Sequence, residues 1–221
     1  MKERCNLCKY LYSIVFGDVD GSPDSCQSDE DDDSEIRCSS SDNGKMEHVE
    51  KNIAYMNNII EERYTEKAMM RVHSHVVSCL TLHENKLYSG STDKNIRIWN
   101  TETHAEIATL RGHTDYVWCL TIHENKLYSG GYDKTIRVWN TETHAEIATL
   151  TGHTDYVWCL TIHENKLYSG SSDNTIRIWN TETHEEIATL RGHTSSVRCL
   201  TLHENKLYSG SDDETIRIWK I

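Results

Sequence analysis

The string "HENKLYSG" occurs four times, beginning at His83, His123, His163 and His203, with 40 residues from each copy to the next. A fixed period of this kind constrains a fold more than composition does. Units of one length fold alike, and each buries its apolar faces only against its neighbours. Residues 112–151 and 152–191 differ at only six of 40 positions. The second copy reads "GHTDYVWCLTIHENKLYSGGYDKTIRVWNTETHAEIATLT". The first copy begins at Val72–His73, where the Gly of the Gly-His pair is replaced, and the fourth stops at Ile221 without its last segment. His-Glu is half of a zinc-peptidase signature, but Leu87 and its equivalents occupy the place of a second histidine four residues on. The repetition therefore points to a structural part needed several times.

Within one unit the pattern is strand, turn, strand, turn. "YVWCLTI" and "KLYSG" are β-rich and flank the polar turn "HEN". "TIRVWN" is a third strand entered around Asp133, and "EIATL" a fourth entered through "TETH". Both faces of these strands carry bulky residues, so each small sheet expects a neighbour on either side. Short four-stranded units stacked face to face are propeller blades, and the expected class is all-β. Cys79, Cys119, Cys159 and Cys199 fall at one repeat position inside apolar stretches, which suits small core residues better than a disulfide framework.

The Gly-His pair, "LYSG", the turn Asp and the Trp closing "TIRIW" together resemble the WD-repeat (WD40) β-propeller family over roughly residues 65–221. Asn100, Asn140, Asn180 and Lys220 stand where that family's eponymous Asp is usual. The resemblance implies a structural hydrogen-bond network in every blade: His73, Ser89, Asp93 and Trp99; His113, Ser129, Asp133 and Trp139; His153, Ser169, Asp173 and Trp179; His193, Ser209, Asp213 and Trp219. Buried indole, imidazole and hydroxyl groups each need a partner, which gives the same set a physical reason. His, Ser and Asp also suggest a hydrolytic triad, but four copies, each tied to a Trp, favour structural use. No catalytic residue, metal or cofactor is expected.

"TEKAMMRVH" at Thr65–His73 aligns with "AEIATLRGH" at Ala105–His113, so it reads as a strand of the fourth type. The resemblance implies that such a strand completes the last blade in a closed ring. Four blades are few for this family, and three arrangements fit: an open arc or strained small ring, an eight-blade ring shared by a homodimer, or a shortened copy of a longer gene.

Residues 1–44 carry 11 Asp and Glu against four Lys and Arg, and "SDEDDDSE" at Ser28–Glu35 reads as disordered. "CNLC" at Cys5–Cys8 has zinc-ligand spacing but no second close pair, Cys26 and Cys38 standing singly. Residues 45–64 read as an amphipathic helix, with Met46, Val49, Ile53, Met56 and Ile60 stepping by threes and fours as in a short coiled-coil seam.

The net charge of −12 repels nucleic acid and anionic lipid, and no apolar run is long enough to span a bilayer. An intracellular chain, cytoplasmic or nuclear, is expected. Function should lie where near-identical copies disagree. By the family's pattern the upper face is lined by Tyr116, Trp118 and Tyr132 in the second copy and Tyr156, Trp158 and Ser172 in the third. The fourth contributes Arg198 and Asp212. Tyr, Trp and Arg are enriched in interface hot spots, so this face is the expected seat for other proteins or peptides. The expected role is a non-catalytic interaction scaffold. The alternative is a substrate-holding component of a ubiquitin ligase, with an N-terminal cysteine-based zinc module.

Overall fold

Alternating apolar positions and turns at fixed offsets give every unit the same meander. In the computed structural model, which describes residues 50–55 and 65–221, the chain forms 15 strands in four antiparallel sheets. The first sheet holds β1 (Val77–His83), β2 (Lys86–Ser91), β3 (Asn95–Asn100) and β4 (Glu106–Arg111). The second holds β5 (Val117–His123), β6 (Lys126–Gly131), β7 (Ile136–Asn140) and β8 (Glu146–Leu150). The third holds β9 (Val157–His163), β10 (Lys166–Ser171), β11 (Thr175–Asn180) and β12 (Glu186–Arg191). The fourth has three strands only: β13 (Val197–His203), β14 (Lys206–Ser211) and β15 (Ile216–Lys220). Neighbours in sequence are neighbours in each sheet, as in a propeller blade.

"HENK" is the hairpin that joins the first two strands. His83 pairs with Lys86, and Glu84 takes a left-handed φ of 52°, repeated at Glu124, Glu164 and Glu204. No described group of His, Cys, Asp or Glu could hold a metal ion, and these histidines close the first strand of each blade, just before the turn.

The core lies between blades. From one blade come Tyr88, Ile96 and Ile98, and from the next Val117, Leu127 and Trp139, all buried. The second interface repeats the set with Tyr128, Ile136 and Val138 against Val157, Leu167 and Trp179. The third uses Tyr168, Ile176 and Ile178 against Val197 and Leu207. Fully burying one such aliphatic side chain contributes about 1.5–3 kcal/mol. The Cys79, Cys119 and Cys159 thiols sit in these layers, and loss of solvent pushes them up, to about 11 for Cys79 and about 12 for Cys159. They are free thiols in a core, too protonated to serve as nucleophiles.

The row of blades is open. The first strand of each blade packs on that of the next, from β1 to β5 to β9 to β13, and the row does not return to β1. Thr65–His73 departs from its expected strand: residues 65–73 hold no strand, and the last blade stays three-stranded. A strand exists only by pairing with an edge. The segment precedes the first blade in sequence, and among the described residues it joins no ladder.

Residues 50–55 are helical. The rest of the expected helix over 45–64, and segment 1–44 with Cys5, Cys8, Cys26 and Cys38, lie outside the described residues.

Candidate functional site

Each blade carries one buried polar chain. In the second, the His113 Nδ1–H donates to Asp133 Oδ2 at 2.7 Å, and Nε2 accepts from the Ser129 hydroxyl at 2.7 Å. The Trp139 indole N–H donates to the same Ser129 oxygen at 2.9 Å. The other blades repeat it through His73, Ser89, Asp93 and Trp99, then His153, Ser169, Asp173 and Trp179, then His193, Ser209, Asp213 and Trp219. Burial, the largest single influence on Asp133, favours its neutral form. Hydrogen bonds from His113, Thr135 and the Thr114 amide outweigh it and hold the carboxyl well below the usual range. Asp173 is held low in the same way.

The order Asp, His, Ser is that of a hydrolytic triad, and the distances would serve one. Access decides against it. Ser129 is 0% exposed, and its oxygen already receives the Trp139 N–H. A nucleophile needs an open face toward a substrate. Here the chain pins the loop before the first strand onto the second and third strands of the same blade.

The loop face is different. Tyr116 and Trp118 flank the buried Val117 at the start of β5, and the strand's alternation turns both rings away from the core. Tyr132 enters from the turn after β6 and lies among the other rings. Its centroid is 4.1 Å from that of Tyr156, stacked within 10°, and 5.5 Å from that of Trp118. Trp158 meets Trp118 edge-on at 5.1 Å and Tyr132 edge-on at 5.3 Å. Offset-stacked and edge-to-face pairs of this kind are each worth about 0.5–1.5 kcal/mol beyond burial.

At the far side, the Arg198 guanidinium carbon lies 3.9 Å from the centre of the Trp158 ring. Asp212 fixes that guanidinium by accepting from both Nε and Nη2. Ser172 accepts the Trp158 indole N–H, and the Ser196 hydroxyl donates to Ser172 at 3.3 Å. The eight face residues named from sequence thus form one contiguous patch across three blades. Tyr116, Trp118 and Tyr156 remain exposed, Trp118 by 36%, while Tyr132 and Trp158 are half-buried.

Two features here have no sequence signal of their own. The Arg198–Asp212 pair depends on a fold that brings positions 14 residues apart side by side. The crossing of Tyr132 onto the next blade depends on blade packing. Asn100, where the family's Asp is usual, has a local role: its Oδ1 accepts the amides of Glu102 and Thr103 at 2.9 and 2.8 Å. Asn140 and Asn180 repeat this turn. An amide oxygen does the work of a carboxylate oxygen there.

The family profile described as WD domain, G-beta repeat matches residues 65–100, 105–140, 145–180 and 184–220. No curated protein sequence matches the chain. Among solved structures, the computationally designed Ika4 protein is similar at TM-score 0.67 and 30% identity, over 72% of this chain and 99% of that one. The computationally designed Ika8 protein is similar at 0.65 and 30%, over 69% of this chain and 48% of its own. The WD40 repeats of RRP9 are similar at 0.65 and 29%, over 68% of this chain and 50% of theirs. The chain therefore spans all of the first and about half of the other two.

Proposed function

The chain belongs to the WD40 family of G-beta repeats, and from that premise we propose a non-catalytic scaffold that holds other proteins or peptides on its loop face. The supporting observation is the patch of Tyr116, Trp118, Tyr132, Tyr156 and Trp158, bounded by Ser172, Arg198 and Asp212. It gathers hot-spot residue types at positions where otherwise matching copies differ. The rings are held by one another rather than by a partner, so little side-chain freedom is lost on binding.

The reading includes an intracellular setting and partners that are not nucleic acid, since the net charge of −12 opposes a phosphate backbone. Among the described residues no helix is long and apolar enough to cross a membrane. A second copy of the chain is a further partner in this reading, held by the blade ends rather than the loop face.

The test uses a random peptide library displayed on phage. Peptides selected on the unchanged chain should lose binding to Trp118→Ala and Trp158→Ala. Each variant should lose no more than about 2 kcal/mol of unfolding free energy, the worth of a few exposed ring contacts. Equal binding by the variants, or collapse of their fold, would refute the site.

A further inference from the structure

We propose that two copies join head to tail into an eight-blade ring, in which residues 66–71 of each copy become the fourth strand of the other's last blade. This deepens the homodimer of the scaffold reading and rests on it.

The two ends of the row are the two halves of its internal interface. Ile216 is 76% exposed, whereas Ile96, Ile136 and Ile176 at the same repeat position are each 1% exposed. Val77, at the other end, is 43% exposed, against 0% for Val117, Val157 and Val197. Ile218, Leu80 and Leu82 are exposed as well, where their counterparts are buried or half-buried, so each end offers an apolar set that the inner junctions cover.

The shapes also match. A Cβ added to Gly90, Gly130 or Gly170 would meet Val117, Val157 or Val197 of the next blade at 2.7–2.8 Å, so each glycine makes the hole for that valine. At Gly210 it would meet only Cys199 of its own blade. A hollow of about 160 Å³ lies there, lined by Cys199, Tyr208, Gly210 and Ile216 among others. Val77 of a second copy is the valine that fits it.

The strand register and its charges follow. In the first blade Ile96, Arg97 and Ile98 pair with Leu110, Thr109 and Ala108. Counting back one period, β15 would pair Ile216, Arg217 and Ile218 with Met70, Met69 and Ala68. Arg97 binds Glu106 at 2.9 Å and Arg137 binds Glu146 at 2.6 Å, and Arg177 binds Glu186 likewise. Among the described residues Arg217 alone of these four arginines has no carboxylate partner. The residue one period before Glu106 is Glu66, which is exposed. Head-to-tail surfaces that close after two copies give a two-fold ring, and eight blades lie within the range of known propellers.

Sedimentation equilibrium of the full chain at micromolar concentration should give twice the 25.5 kDa of one copy. Arg217→Glu, or Glu66→Arg alone, should raise the dimer dissociation constant about 100-fold by setting like charges together. The two changes in one chain should restore the dimer, because each contact joins residue 66 of one copy to residue 217 of the other. A single-copy mass for the unchanged chain, a ladder of larger masses, or a dimer indifferent to Arg217→Glu would each overturn the ring. Peptide capture through Trp118 and Trp158 is read on the same samples. A single-copy chain that still captures peptides overturns the ring alone, and a dimer that captures none overturns the loop-face reading alone.

Discussion

The interface between the second and third blades and the outer face of the fourth blade are built from almost the same residues and reach opposite states. Tyr128, Ile136 and Val138 are sealed by Val157, Leu167 and Trp179. Tyr208, Ile216 and Ile218 occupy the same repeat positions, and there the two isoleucines are exposed and Tyr208 is only half-buried. The difference is the neighbour, since near-identical strands fold in both places. Burial in a repeat array belongs to the junction rather than to the unit. In the proposed ring, the exposed apolar face at the end of the array is an interface lacking its second half.

The comparison breaks most readily at the tryptophans. Trp179→Ala removes a buried ring from a sealed junction and leaves the Ser169 hydroxyl without its donor. It should cost about 3–5 kcal/mol in urea unfolding. Trp219→Ala, at a half-buried ring in the last blade, should cost distinctly less. Equal costs would mean that burial does not set the difference.

The glycines sharpen the contrast at a smaller scale. Gly130→Ala drives a methyl into Val157 at 2.7 Å and Cys119 at 2.8 Å, and should cost about 1–3 kcal/mol. Gly210→Ala in the single-copy Arg217→Glu background meets one side chain instead of two and should cost less. The same melting measurement on both variants reads the difference.

The smallest expected effect is shared by sealed and open blades. Asp133, Asp173 and Asp213 are held below the usual carboxylate range, for Asp213 first by the Thr215 hydroxyl bond. A carboxyl lowered by folding contributes stability that is fully present above its unfolded pKa of about 4 and is lost as pH falls through the folded value. Unfolding midpoints should hold from about pH 7 to 5 and decline below about 4, and Asp133→Asn should make that decline shallower.

The blades were legible because their signals are local. Strand, turn and Trp recur at fixed offsets, and the polar chain uses residue types that cannot be buried unpartnered. The face residues were legible as differences between copies, but their joining was not. Tyr132 stacks on Tyr156 of the next blade, and Arg198 lies over Trp158, only because blades pack at a particular angle. The Thr65–His73 segment misled for a related reason. Its sequence matches a fourth strand, yet a strand needs an edge to pair with, and residues 65–73 form no ladder. Sequence carries a segment's preference, and only the assembled row says whether a partner is present.

The central claim is that the copies share one blade and differ functionally in what their loop faces offer. Its most direct measurement is the urea-unfolding free energy of the chain carrying Tyr116→Ser, Trp118→Arg and Tyr132→Asp, which gives the second copy the face of the fourth. A single cooperative transition, lowered by about 2 kcal/mol, near the low end for the ring contacts removed, is the predicted result. A loss as large as that of Trp179→Ala, or a broken transition, would show that the face residues hold the blade together and would contradict the account.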